Sequence, residues 1–258
     1  VIKKIDFSKF SSIKCGGVID VFIIQSQDDI PKNHTIIGLA NNLLVSPNAK
    51  NLMMLSKKFN YITHDDFTIT IGGATPSGKI VSYCKKHDIG GFEFLSSLPG
   101  SLGGLVKMNA GLGGYEIFDN LLNIKNQYQT LFKKEIAHGY RFSNIEGVIF
   151  EAVFTYKKGF SYEIVENLNK LRRNQPKHPS AGSCFKNPPN DYAGRLIEAV
   201  GLRGYQKGGF CFSKDHANFL VNLGGGKFED AIWLIKEAQR RVYDEFNITL
   251  EREIVVLF

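Results

Sequence analysis

The chain has 258 residues, with Lys+Arg 32 against Asp+Glu 25 and a net charge of +7; 43% of it is hydrophobic and 22% charged. That balance is a globular one and excludes disorder, collagen and a coiled-coil rod. The length predicts one large domain or two to three small ones, and the positive balance points to an anionic partner without choosing among nucleic acid, nucleotide and phosphorylated metabolite.

Val1 to Phe10 mixes Lys, Asp and Ser without the charged-then-apolar pattern of a secretory signal. No stretch reaches the roughly 18 consecutive apolar residues of a membrane span. A cytoplasmic protein is expected, with no membrane partner.

In chain order, Val18 to Gln25 predicts a β-branched strand and His34 to Gly38 a second one, running into the loop Leu39-Ala40-Asn41-Asn42. Phe67 to Ile71 predicts a strand ending at Gly72-Gly73. Thr75 to Asp88 predicts a helix, with Pro76 near its start and Lys85 and Lys86 near its end. Gly147 to Tyr156 predicts a long apolar strand and Ser161 to Asn174 a helix. Prolines 176, 179, 188 and 189 break the segment that follows, which places a domain boundary near residue 158. A short helix at Ala193 to Ala199, a strand at Phe219 to Asn222 and a helix at Phe228 to Phe246 come next. The last helix has its apolar positions 231, 235, 238 and 242 on one face. Leu250 to Phe258 predicts a final strand. Mixed strands and helices indicate an α+β or α/β protein.

Cys15, Cys84, Cys184 and Cys211 are far apart and form no C-x-x-C pair, so neither a zinc site nor a disulfide framework is supported. No metal is expected.

Six of the fifteen residues from Gly100 to Gly114 are Gly. Gly103 and Gly104 lie at what reads as a short helix start, where backbone N–H groups pointing outward would favour an anion. The segment lacks the Gly-Lys-Ser/Thr of a P-loop and the fingerprint of a dinucleotide fold. The loop Gly38 to Leu44 is a second candidate, because Asn side chains can both turn the chain and bond a phosphate. Each loop alone is equally readable as a turn. From Lys170 to Asn187 the positive residues Lys170, Arg172, Arg173, Lys177 and Lys186 are interrupted by no acid. The segment abuts Ser180-Ala181-Gly182-Ser183 and suits a diphosphate as well as it suits a solvated charge run. Ser183 lies in no G-x-S-x-G elbow, Cys184 beside Phe185 reads as a buried thiol, and His216 reads as a base or a hydrogen-bonder.

Taken in order, GLANNLLV at 38–45, SLPGSLGGLVKMNAGLGG at 97–114, YRFS at 140–143, PSAGSCFKNP at 179–188, AGRLIEAVGLRG at 193–204, HANFLVN at 216–222 and LEREI at 250–254 resemble the UDP-N-acetylenolpyruvoylglucosamine reductase family. These are flavoenzymes of peptidoglycan precursor synthesis. The resemblance covers nearly the whole chain. It implies an α+β protein with an FAD-binding fold of the vanillyl-alcohol-oxidase type, made of two FAD subdomains (1–50 and 51–158). A C-terminal α+β substrate domain (159–247) and a strand returning to the active site (248–258) complete it. The short link between Tyr156 and Arg172 leaves no room for a substrate-capping insertion, as in the shorter, second type of this enzyme.

The resemblance further implies non-covalent FAD with NADPH as hydride donor, and a UDP-sugar as substrate. FAD would be held by Gly38, Ala40, Asn41, Asn42, Leu43, Pro99, Gly100, Gly103, Gly104, Asn109, Ala110 and Gly111. The family usually has Gly-Ser-Asn where this chain has Ala40-Asn41-Asn42, and Asn41 can still donate and accept. Ser183 would be the proton donor, Arg141 the cation facing the developing enolate, and Glu253 a carboxylate completing the site, with Glu251 structural. Tyr140, Lys177, Asn187, Arg203 and His216 would contact substrate, with Arg172 and Arg173 as alternative phosphate ligands. A monomer is expected. Two rival readings are another flavin oxidase or dehydrogenase of the same fold, and a non-catalytic basic nucleotide- or RNA-binding protein.

Overall fold

Ile149–Thr155 is the central strand of a five-stranded antiparallel sheet ordered Thr130–Phe132, Leu121–Asn126, Ile149–Thr155, Thr68–Gly72, Ile62–His64. The computed structural model describes all residues from Val1 to Phe258. The β-branched and aromatic run of Ile149–Thr155 suits a strand, and alternate residues on its neighbours bury Ile69, Ile71 and Ile124. Each fully buried side chain of this size contributes roughly 1.5–3 kcal/mol. The helices Ser77–Lys86, Leu102–Lys107 and Tyr162–Leu171 supply Ile80, Cys84, Leu102, Val106 and Leu168 to the same core. Ser161 caps the last of these helices by accepting the Ile164 N–H at 3.3 Å.

Contacts divide the chain into two compact units. The first takes Val1–Lys3, Val21–Leu39 and Asn51–Arg173; the second takes Lys4–Asp20, Ala40–Lys50 and Asn174–Phe258. The first unit also contains a parallel arrangement, in which Leu52–Leu55 pairs with Val21–Ile24 on one side and Thr35–Ile36 on the other.

The second unit is built on a four-stranded antiparallel sheet ordered Ser180–Ser183, Phe219–Asn222, Phe210–Phe212, Gln206–Lys207. The helix Phe228–Phe246 buries Ala231, Leu234, Ile235, Ala238 and Val242, the face read from the sequence together with Leu234. It ends at Asn247, whose left-handed φ of 53° closes the helix. Leu43–Val45 pairs in parallel with Val255–Leu257. The strand expected over Leu250 to Phe258 is therefore shorter. Its first half bonds elsewhere, through Phe185↔Arg252 and the Lys186 N–H to the Glu251 carbonyl at 2.9 Å.

The α+β class read from the sequence is the one observed. No helix is long and apolar enough to cross a membrane.

Candidate active site

In the second unit, Ser183 ends the strand Ser180–Ser183. Gly182 before it has φ +78°, a conformation a side chain would strain, and the register of the strand slips between Ser180 and Ser183. The slip lets Cys184 turn out of the ladder. Its N–H donates to the Asn218 carbonyl at 2.7 Å, and its carbonyl accepts the Glu253 N–H at 2.9 Å. Asn218 is buried, and its side chain clamps Phe185, accepting the N–H at 3.0 Å and donating to the carbonyl at 2.7 Å. The half-buried Ser183 hydroxyl enters no hydrogen bond within the chain. Burial pushes the Cys184 thiol well up, which makes it inert as a nucleophile. Glu251 pairs with Lys186 at 2.6 Å, the structural part expected of it.

The loop Ala40-Asn41-Asn42 belongs to the same unit and is braced from two sides. Ser12 donates its N–H to the Ala40 carbonyl at 3.2 Å and its hydroxyl to the Asn41 carbonyl at 3.0 Å. Asn42 Nδ2 donates to the Glu253 carbonyl at 2.9 Å, and the Asn42 carbonyl accepts the Val255 N–H at 3.0 Å. Ala40 is held at φ 51°, a region sparsely populated by residues other than Gly, Asn and Asp. Asn41 Oδ1 is buried with no hydrogen-bond partner. An orphaned buried acceptor costs about 1–3 kcal/mol, so this atom, like Ser56 Oγ elsewhere in the chain, has a hydrogen-bonding capacity the chain itself does not fill.

His216 is half-buried and sits edge-on to Phe219. Its Nδ1 accepts the Asn218 N–H at 3.3 Å. Burial holds its pKa below the ordinary value, and the charge of Arg203 acts in the same direction. Arg203 is anchored to Glu198 and the Lys214 carbonyl, each at 2.7 Å. Asn187 Oδ1 accepts the Ala193 N–H at 3.1 Å, satisfying the first turn of the helix Ala193–Ala199. Lys177 is exposed and makes no ion pair. The second unit thus gathers Ser183 and Glu253, Asn42, and the pair His216 and Arg203.

In the first unit, the Gly-rich segment follows a tight path. A Cβ on Gly38 would lie 2.6 Å from Ser101 Oγ, so a side chain there would have to displace the serine hydroxyl. The outward-pointing N–H expected at Gly103 needs correction. The Leu102 N–H donates to the Thr75 carbonyl and the Gly103 N–H to the Gly73 carbonyl, both at 2.9 Å, because Leu102–Lys107 docks against the turn Gly73–Thr75 before its own ladder begins. Gly104 faces open space, with nothing nearer to a Cβ than Ser101 Oγ at 3.9 Å. Asn109 is fully buried and braces Glu116, Gly139 and Phe118. Arg141, at φ 55°, donates from Nη2 to the Gly111 carbonyl at 2.9 Å and lies over the Tyr140 ring at 5.1 Å. Pro99, Gly100 and Ala110 flank these residues in the chain. Arg172 and Arg173 fall in the first unit and Lys177 in the second, so the basic run is divided.

Ser12, Ser101 and Asn218 carry no mark in the local sequence pattern that singles them out. Asn218 stands in the motif HANFLVN, directly before Phe219–Asn222, a polar residue leading into a strand of Phe, Leu and Val.

A family model described as UDP-N-acetylenolpyruvoylglucosamine reductase, C-terminal domain, matches residues 175–257. The chain is 48% identical over 253 residues to the UDP-N-acetylenolpyruvoylglucosamine reductase of Helicobacter pylori, covering 98% of each. It is 43% identical over 258 residues to that of Campylobacter jejuni, covering 98% of this chain and 99% of the relative. The crystal structure of the Thermus caldophilus reductase superimposes with a TM-score of 0.86 at 28% identity, covering 100% of this chain and 99% of that one. With relatives this similar along almost their full length, the chain belongs to the UDP-N-acetylenolpyruvoylglucosamine reductase family.

Proposed function

We propose that this protein reduces the enolpyruvyl group of UDP-N-acetylglucosamine enolpyruvate to UDP-N-acetylmuramate, using FAD and NADPH. The supporting observation is the hydrogen-bonded cluster in which the backbone of Glu253 is fixed to the residue after Ser183 and to Asn42. It joins a hydroxyl, a carboxylate and a loop with an unsatisfied polar atom. The proposed parts are those of the family: FAD subdomains at 1–50 and 51–158, a substrate domain at 159–247, and a returning segment at 248–258.

The residues present fit the cofactor. Asn41 Oδ1 is an acceptor without a donor, which suits a hydroxyl-bearing ligand, and the open face of Gly104 admits one. Gly38, Ala40 and Asn41 in one loop, and Pro99, Gly100, Gly103, Gly104, Ala110 and Gly111 in the other, would hold it, with Leu43 and Asn109 shaping the two loops from behind. When bound, the flavin supplies a hydride taken from NADPH.

The chain's own groups manage charge and protons. Hydride arriving at the terminal alkene carbon leaves negative charge on the neighbouring carbon and its carboxylate. Arg141 offers a permanent cation to that charge. Ser183 Oγ gives its proton to the carbanionic carbon, a base strong enough to take it from a hydroxyl. Glu253 either polarises the substrate acid as that charge develops or relays a solvent proton to the Ser183 alkoxide left behind. Lys177, Asn187, Arg203, His216 and Tyr140 serve the uridine diphosphate and sugar.

The test is anaerobic reduction of the FAD-loaded protein with NADPH, followed by enolpyruvyl-UDP-N-acetylglucosamine. Rapid return of the oxidised flavin spectrum supports the reading. Flavin that reduces but stays reduced assigns the fold to another substrate, and a protein that takes up no FAD removes the reading altogether.

A further inference from the structure

The two adjacent asparagines of the Ala40-Asn41-Asn42 loop differ in what their side chains meet. Asn41 has a buried carbonyl oxygen with no partner. Asn42 is satisfied, and its partner is not in the loop. It donates to the main chain of Glu253, which lies 211 residues away in sequence. A second bond, from the Val255 N–H to the Asn42 carbonyl, runs in the opposite direction. The residue between these two anchors, Ile254, is buried and donates to the Cys184 carbonyl at 3.3 Å, beside the Glu253 N–H at 2.9 Å. Glu253 is therefore held at its N–H by the Ser183-Cys184 turn and at its carbonyl by Asn42. Neither bond uses its carboxylate.

From this geometry we infer that Asn42 is a positioning residue for Glu253 rather than a cofactor ligand: its amide fixes the Glu253 main chain, and so the reach of the carboxylate toward Ser183. The inference rests on the catalytic reading of Glu253 given above. It reassigns Asn42 from the cofactor set and leaves Asn41 in it. An isosteric Asp at position 42 keeps the shape and loses the donor, placing an oxygen against the Glu253 carbonyl. Misplacing a reacting group by about an ångström costs up to ~10²-fold in rate.

The experiment uses the full chain with Asn42→Asp, Asn42→Ala, Asn41→Ala, Glu253→Gln and the double variant Asn42→Ala/Glu253→Gln. Three quantities are read: the FAD dissociation constant by flavin fluorescence, the single-turnover rate of flavin reoxidation by the enolpyruvyl substrate, and amide hydrogen exchange of the FAD-free protein over residues 250–258. Both Asn42 variants are expected to speed exchange in that segment and to slow reoxidation by roughly 10- to 100-fold, with FAD affinity within about twofold of wild type. Asn41→Ala is expected to weaken FAD binding by about tenfold, the loss of one good hydrogen bond. In the Glu253→Gln background, Asn42→Ala should slow reoxidation by less than about threefold, because residues acting through one another are not additive. Full multiplication of the two effects would overturn the inference. So would unchanged exchange in Asn42→Asp, or loss of FAD affinity in the Asn42 variants equal to that of Asn41→Ala. A wild-type protein whose reduced flavin ignores the enolpyruvyl substrate refutes the proposed function instead, while the exchange result still decides whether Asn42 holds the Glu253 segment.

Discussion

The Glu253 N–H donates to the Cys184 carbonyl at 2.9 Å. Because Cys184 follows Ser183 directly, this bond ties the main chain of the candidate acid to that of the candidate proton donor. Replacing Ser183 by Ala is expected to spare reduction of the flavin by NADPH and to slow its reoxidation by the enolpyruvyl substrate ~10²–10⁴-fold, the usual worth of a positioned acid. Stopped-flow absorbance of the two half-reactions checks it, and wild-type rates in both would remove Ser183 from the mechanism.

Asn218 makes two side-chain bonds to Phe185, at 3.0 and 2.7 Å, inside the core of the second unit. Asn218→Ala leaves a buried N–H and a buried carbonyl unpaired, each costing about 1–3 kcal/mol. The urea midpoint should fall by an amount equivalent to about 2–6 kcal/mol. A midpoint equal to wild type would show that water replaces the amide there.

His216 has a pKa lowered from its ordinary value by burial, and its Nδ1 accepts the Asn218 N–H. The unfolded chain then binds the extra proton more readily than the folded one. Stability is at its full value above the unfolded pKa and falls as the pH drops below it. Denaturation midpoints measured at about pH 8 and about pH 5 should differ more in wild type than in His216→Gln. Equal differences would mean that the ring contributes nothing to acid lability.

Gly38 and Ser101 meet where a Cβ would stand 2.6 Å from the serine hydroxyl. Gly38→Ala should weaken FAD binding and lower the melting temperature. The double variant Gly38→Ala/Ser101→Ala removes the colliding oxygen and should recover most of both losses. Recovery of stability without affinity would show that the Ser101 hydroxyl itself serves the cofactor.

Lys177 is exposed and unpaired, as a ligand for a mobile anionic substrate would be. Lys177→Ala is expected to raise KM for the UDP-sugar more than it lowers kcat, since a diphosphate contact is the same in ground and transition states. An unchanged KM excludes it from the clamp.

Much of this architecture is legible in the residues themselves. The helix Phe228–Phe246 and the strands Phe219–Asn222 and Ile149–Thr155 follow from apolar pattern alone. Leu52–Leu55 is different: four consecutive apolar residues have no period, and only the parallel neighbours reveal a strand. Ser180–Ser183 is hidden by its small residues and nearby prolines. In the candidate site, the amide residues themselves marked the Asn41 loop, whereas Ser183 and Glu253 gained roles only through an ordered set of motifs. Local pattern cannot show that Asn42 bonds to Glu253 or that the Leu102 and Gly103 N–H groups are already engaged. Those are facts of long-range docking, written in no stretch of adjacent residues.

The parallel pairing of Leu43–Val45 with Val255–Leu257 sets an order of events during synthesis. The earlier strand leaves the ribosome long before its partner exists and must wait with an open edge while the intervening chain is made. Contacts this distant in sequence form slowly and leave unpaired edges open to association. The Asn42 loop therefore gains these braces only after Glu253 and Val255 have been made, and a variant in which Val255–Leu257 cannot pair should keep most of its helices yet hold the loop less firmly.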